Sequence, residues 1–385
     1  MRDGHMRVLT LTPFYPVEGD DAQGCFIAEP LRSLESLDVK QTILAVQPFY
    51  RGDLVPNKSS PTARAVRHFA LPGGLGLPTS GFFLFARILH EVRRIHATAR
   101  FDLVHAHGAL PCGHAAALIS RELQIPFVVT VHGLDAYSTR QVRGVSGEWC
   151  KRISRLVYRS ACRTICVSQK VADRVMETAN APVRTIVVYN GVDSNLFSPE
   201  ENDSGFMQIL SVGGLIPIKG HEILLRAFAA VLDRFPRATC EIIGDGPERE
   251  RLQELARALG IAPKVYFRGR LSRRDVAEAM RHCEVFALAS RYEALGCVYL
   301  EAMASGKPVV ACRGQGIEEV IRDGENGFLV EPNDVSGLAD VLTRLLANAD
   351  LRCRVAKTAR DTVRSGFTLA QQALSLRQVY EACAQ

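Results

Sequence analysis

The chain has 385 residues, 47% hydrophobic and 23% charged, the profile of an ordinary globular protein and long enough for two domains. Its net charge of +6 is uneven: residues 1–195 hold 23 Lys/Arg against 16 Asp/Glu, and residues 196–385 hold 24 against 25. No run approaches 18 apolar residues, which excludes a membrane-crossing helix, and no stretch interleaves basic with stacking aromatic residues, so no nucleic-acid partner is expected.

The opening "MRVLTLTPFYP" reads as a first strand rather than a leader, since prolines follow it and no small-residue cleavage site does. "GDDAQGCF" comes next, before a helix, and Gly24 there would let backbone approach a ligand. The strands of this half read "RVLTLT", "TILAV", "DLVHAH", "FVVTVH", "TICVS" and "TIVVYN". Between them, "SGFFLFARILHEVRRIHATAR" predicts a helix with Phe82, Phe85, Leu89 and Val92 on one stripe and Arg87 and Arg94 on another. His105 and His107 lack a nearby carboxylate or cysteine and read as wall residues rather than metal ligands. "TVHGLDAY" places His132 and Asp135 just after a strand. The eleven cysteines form no C-x-x-C pair and fit buried, reduced thiols and a cytoplasmic setting.

The polar break "SNLFSPEENDSG", Ser194 to Gly205, predicts a boundary between a domain of residues 1–195 and one of residues 196–367. The second half repeats the alternation, with strands "QILSVG", "CEIIG", "VYFRG", "VFALAS", "PVVAC" and "GFLV". Apolar strands alternating with helices imply parallel sheets covered on both faces, hence two doubly wound α/β domains facing a cleft. Ligands in such sheets collect at the carboxyl ends of strands. Lys219, in "GLIPIKG", stands where a helix begins, a good place for a diphosphate. Gly244, in "IIGDGP", and Arg268, Arg270 and Leu271, in "FRGRLS", end two further strands. The amphipathic stretch 368–385 is expected to be free to pack back on the first domain.

The segment "SRYEALGCVYLEAMASGKPVVA" carries two glutamates eight positions apart, Glu293 in a loop and Glu301 in a helix. With "VGGLIPIKG", "IIGDGP", "GIEEVIRDGENGFLV", "VVYNGVD" and "TVHGLDAY", it resembles the family-4 glycosyltransferases of the two-Rossmann-domain GT-B fold, over nearly the whole chain. Within that family it looks most like enzymes of bacterial exopolysaccharide or teichuronic-acid-type assembly.

The resemblance implies a retaining hexosyltransferase that moves a sugar from a nucleoside-diphosphate sugar, UDP by family frequency, to an acceptor hydroxyl. It implies that Glu301 bonds the ribose and Glu293 the sugar, with Ala294, Leu295 and Gly296 beside them. Lys219 would hold the diphosphate and His132 would contact the sugar. Family members often carry arginine where Gly214 stands here, which would leave Arg268, Arg270 or Arg291 to supply that charge. "GQGIEE" stands where "GGIPE" is common. No D-x-D triplet is present, so no metal cofactor is expected. A lipid-linked or oligosaccharide acceptor is expected, with the basic first domain peripheral on the anionic inner face of the cell membrane. The alternatives are a non-catalytic nucleotide-sugar-binding subunit and an epimerase on the same fold.

Overall fold

The computed structural model describes residues 5–50, 56, 63–71, 75–133, 142, 144–200 and 207–384. The chain forms two compact units, one of Met1–Tyr189 with Ala370–Gln385, the other of Asn190–Leu369.

The first unit holds a parallel sheet of β1 (Met6–Thr12), β2 (Val39–Pro48), β3 (Ala63–His68), β4 (Leu103–His107), β5 (Phe127–Val131), β6 (Arg163–Cys166) and β7 (Thr185–Val187), in the order β3-β2-β1-β4-β5-β6-β7. Every residue of β4 and β5 is buried, as central strands covered on both faces must be. Between the strands run α1 (Cys25–Glu35), α2 (Gly76–Thr98), α3 (His114–Leu123), α4 (Gly144–Ser160) and α5 (Gln169–Ala179).

The second unit holds β8 (Gln208–Val212), β9 (Thr239–Ile243), β10 (Val265–Gly269), β11 (Val285–Ala287), β12 (Val309–Cys312) and β13 (Phe328–Val330), in the order β10-β9-β8-β11-β12-β13. Its helices are α6 (His221–Arg234), α7 (Arg249–Ala258), α8 (Arg273–His282), α9 (Cys297–Ala304), α10 (Val335–Ala347) and α11 (Ala349–Gly366). On one face α6 packs Leu224 and Phe228 against Leu342 and Leu345 of α10. Truncating a ring such as Phe228 to alanine typically costs about 3–5 kcal/mol.

Both sheets therefore share one winding, with the order reversing between β1 and β4 in the first and between β8 and β11 in the second. A doubly wound sheet opens a crevice at that switch point, outside the carboxyl ends of the two strands, because the loops there leave in opposite directions.

The last helix, α12 (Leu369–Ala384), buries Ala373, Leu376, Val379 and Tyr380 among Val8, Ile27, Leu31 and Leu34 of the first unit. The two chain crossings run side by side: Val192 N–H donates to the Phe367 carbonyl at 2.9 Å and Leu369 N–H to the Val192 carbonyl at 3.2 Å. A Cβ on Gly191 would lie 2.4 Å from the Thr368 carbonyl oxygen, so only glycine permits this approach.

Two sequence expectations change. Helix α2 turns Gly81, Leu84, Ile88 and Val92 inward, while Phe82 is 55% exposed and Phe85 and Leu89 are half-buried. The apolar stripe is thus rotated about the helix axis from the one expected. The edge strand β3, "ARAVRH", was not among the expected strands; it carries Arg64 and Arg67 and buries only Val66 and His68.

Candidate active site

The loops after β8 and β11 meet at the second unit's switch point. Beyond β8 a short turn, Pro217–Lys219, leads through Gly220 into α6. Gly220 has φ +68°, and a Cβ on it would lie 1.9 Å from the Ala289 carbonyl oxygen, so glycine alone lets α6 begin against the end of β11. The contact is stitched further. Arg291 N–H donates to the Ile218 carbonyl at 2.7 Å, and the Ser290 hydroxyl lies 3.1 Å from the same oxygen. This arrangement brings Lys219 to Glu293, with Nζ 2.7 Å from Oε1. The glutamate side chain is 9% exposed and the lysine 24%.

Backbone holds Glu293 on both sides. Its N–H donates to the side-chain oxygen of the buried Gln315 at 3.1 Å, and its carbonyl accepts from Gly316 N–H at 3.0 Å. The stretch "GQGIEE" is therefore the support under "YEALG", with Gln315 the key group, and the sequence reading had not identified it. Leu295 is buried, and Ala294 and Gly296 are half-buried. Gly296, at φ +91°, starts α9, and no side chain caps that end. Tyr299 N–H donates to the Gly296 carbonyl at 3.0 Å, and the helix start as a whole favours an anion.

Cys297, the first residue of α9, accepts from the Asn190 side-chain amide at 3.2 Å, and burial pushes its thiol up to about 12, so it stays protonated at neutral pH. One turn further, Glu301 is buried and ion-paired through Oε1 with the Arg273 guanidinium of α8. Arg273 in turn lies over the ring of the buried Phe197, 4.8 Å from its centroid. Neither Arg273 nor Phe197 was expected at the site. His221, the first residue of α6, is buried, and its pKa falls to about 4 through burial and then through the charge of Lys219. It is neutral at pH 7.

The first unit collects histidines at its own switch point. Nδ1 of His107, on β4, lies 2.9 Å from Nε2 of His132, beyond β5, with their rings stacked at 5.1 Å. Nε2 of His105 lies 2.7 Å from the Thr130 hydroxyl, and its Nδ1 the same distance from the Tyr380 hydroxyl of α12. Burial lowers His105 and His132 to about 3 and His107 well below its usual value. All three are neutral hydrogen-bonding groups. Asp135 lies outside the described residues.

The other expected residues have these surroundings. Gly24, at φ +73°, starts α1, and its Cβ direction is filled by the Tyr15 backbone at 2.6 Å. Gly244 has the Gly213 carbonyl oxygen 2.0 Å from where its Cβ would stand, so it lets the loops after β8 and β9 touch. At Gly214 a Cβ would meet only the Asp245 carbonyl oxygen at 3.9 Å, so that position is open. Arg268 does not supply the missing charge: it pairs with Glu241 at 3.0 Å and lies over the Tyr266 ring. Arg291 bonds the Asn333 side chain at 2.7 Å. Arg270, exposed, and Leu271, half-buried, follow the edge strand β10, two strands away from β8. Among the described residues, Glu200, Glu278 and His282 bring possible metal-ligand atoms within 4.8 Å of one another, but Arg281 already pairs with both carboxylates.

Comparison with known proteins agrees with this architecture. Residues 193–362 match the family "Glycosyl transferases group 1" and residues 31–196 match "Glycosyltransferase Family 4". The chain is 31% identical over 280 residues to an uncharacterized glycosyltransferase, MJ1178, of Methanocaldococcus jannaschii, covering 73% of this chain and 75% of that one. It is 28% identical over 294 residues to the alpha-D-kanosaminyltransferase of Streptomyces kanamyceticus, covering 72% and 76%. Among solved structures, HepE of Anabaena with UDP and glucose superposes with a TM-score of 0.74 at 21% identity, covering 98% of this chain and 100% of that one. Two parallel-sheet units of this winding, matched across both halves, place the chain among the group 1 glycosyltransferases, with a family 4 first half and the GT-B fold.

Proposed function

We propose that the protein is a retaining glycosyltransferase that moves a hexosyl group from a nucleoside-diphosphate sugar to an acceptor hydroxyl. The observation that carries this reading is the Lys219–Glu293 pair at a switch point, with Glu301 about one turn into the helix that follows. On this reading Glu301 accepts from the ribose hydroxyls, Glu293 from hydroxyls of the sugar, and Lys219 with the N-terminus of α9 holds the diphosphate. UDP is the nucleotide we favour, since HepE was solved with UDP and with UDP-glucose.

As the bond from the anomeric carbon to the diphosphate oxygen breaks, negative charge grows on the leaving group, and Lys219 stabilises it most at that moment. The acceptor oxygen bonds to the same face of the carbon, and its proton passes to the leaving diphosphate. No metal is required on this reading, because a lysine and helix amides do its work. His132, a neutral group, is proposed to contact the sugar.

The acceptor we propose is lipid-linked, in exopolysaccharide or glycolipid assembly, with the first unit peripheral on an anionic membrane. Supporting this are the net +7 of residues 1–195 and an exposed run of rings in which Phe49 stacks on Phe69 at 5.6 Å and Phe69 meets Phe83 at 4.9 Å. Among the described residues no helix is long and apolar enough to cross a membrane.

A thermal-shift panel of UDP-, GDP- and ADP-sugars tests the donor assignment, since a ligand of the native state raises the melting temperature. One nucleotide class should raise it in the wild type and fail to do so in Glu301→Ala. A flat panel contradicts the reading.

A further inference from the structure

We infer that Arg273 is a positioning residue for the donor's ribose, acting through Glu301. This rests on the reading of Glu301 as the ribose acceptor.

Arg273 begins α8, whose N-cap Ser272 accepts from Asp275 N–H at 3.2 Å, so its backbone is fixed by a capped helix end. Its side chain runs inward, 10% exposed, to a carboxylate that is 9% exposed. The Phe197 ring holds the guanidinium from another side at 4.8 Å. Phe197 is itself buried and tied by its N–H to the Asp193 carbonyl at 2.9 Å, and Arg281 of α8 donates to the Leu196 carbonyl beside it at 3.3 Å. The planar cation thus has little freedom to swing, which a lysine in its place would have.

The consequence falls on Glu301. Arg273 engages Oε1, and among the described residues Oε2 accepts no hydrogen bond. One oxygen is anchored and the other is left as an acceptor. A carboxylate free to rotate would lose entropy on meeting the ribose hydroxyls, whereas one already held loses less. A buried ion pair is weak evidence for stability by itself, so a role in recognition is the more specific account of its presence.

The test uses the full chain and nucleotide pairs that differ only in the ribose: UDP, GDP and ADP, each beside its 2′,3′-dideoxy form, titrated by calorimetry. Wild type should hold the best of the three at least about tenfold more tightly than its dideoxy form. Arg273→Met should bring that ratio close to one while leaving dideoxy affinity within about twofold of wild type. If Arg273→Met weakens both forms equally and the ratio survives, the residue is merely structural and the inference is wrong. If wild type itself treats each pair alike, or binds none, the ribose reading of Glu301 fails, a result distinct from the first. Should Arg273→Met not fold, Arg273→Lys and Phe197→Leu carry the test: both should lower the ratio, and wild-type ratios in both would overturn the inference.

Discussion

Lys219 Nζ donates to Glu293 Oε1 at 2.7 Å, joining the loop after β8 to the loop after β11 across the switch point of the second sheet. On the proposed function the pair sets the cation that holds the diphosphate against the carboxylate that reads the sugar, so a donor would share Lys219 with Glu293 rather than find it alone. An ammonium has three donors, which allows that sharing.

Replacing Lys219 with alanine should therefore lower kcat by about 100-fold and donor affinity by less than about tenfold, because the leaving charge is largest in the transition state. It should also lower the melting temperature, since Glu293 is left buried without its cation. Lys219→Ala/Glu293→Gln should recover the melting temperature and not the turnover. Steady-state kinetics and thermal unfolding of both variants decide this; equal losses of kcat and affinity would mean that Lys219 binds without catalysing.

Gly214 has room for a side chain and lies in the loop that carries Lys219. Gly214→Arg should fold normally and bind the donor diphosphate about three- to tenfold more tightly, the return on one added charge-assisted hydrogen bond. Calorimetric titration checks it. An unchanged affinity in a folded variant would show that an arginine here does not reach the diphosphate.

The histidines make a prediction about pH. Burial lowers His105 and His132 to about 3 and His221 to about 4 in the folded chain, well below the ordinary imidazole value of about 6.5, so folding holds them neutral. Below pH 6.5 the unfolded chain takes up protons that the folded chain refuses. Their stabilising effect is thus complete above pH 6.5 and is lost as pH falls from there toward about 4 for His221 and about 3 for His105 and His132, by about 1.4 kcal/mol per pH unit for each group. Urea unfolding at pH 7.5, 6.5 and 5.5 should show the fall, and His105→Asn should make it shallower. Parallel curves for the two proteins would refute the attribution.

Much of this was legible in the sequence, for physical reasons. Central strands buried on both faces read as continuous apolar runs, which made β1, β2, β4 to β6, β8, β9, β11 and β12 visible, and the edge strands β7, β10 and β13 showed as short apolar runs. Edge strand β3 was not, because "ARAVRH" alternates two arginines with small and apolar residues. Glu293, Glu301 and Lys219 announced themselves through local spacing. Arg273 and Gln315 did not, because they stand 28 and 22 positions from the groups they hold, and Tyr380 reaches His105 from 275 positions away. The folded chain alone makes such pairs neighbours.

The exposed rings of the first unit predict surface attachment. Phe82, Phe69 and Phe49 are 55%, 49% and 46% exposed, and Arg67 and Arg87 are exposed nearby in sequence. Wild type should co-sediment with vesicles containing anionic lipid at low salt and release at high salt, as weak electrostatic attachment does. Phe69→Ser/Phe82→Ser should bind less at every salt concentration. Binding that ignores lipid charge, or none, would favour a soluble acceptor.

The most direct test of the whole account is acceptor-dependent nucleotide release in excess EDTA. UDP-glucose and other nucleotide sugars are incubated with lipid-linked and oligosaccharide acceptors, and the products are read by NMR. The account predicts nucleotide release only when an acceptor is present, a new glycosidic bond of the donor's own anomeric configuration, and no effect of the chelator. Inverted product would contradict retention, and activity lost to EDTA and restored by magnesium or manganese would contradict the metal-free site. Release of nucleotide without acceptor, or tight donor binding with no product from any acceptor, would contradict a transferase altogether.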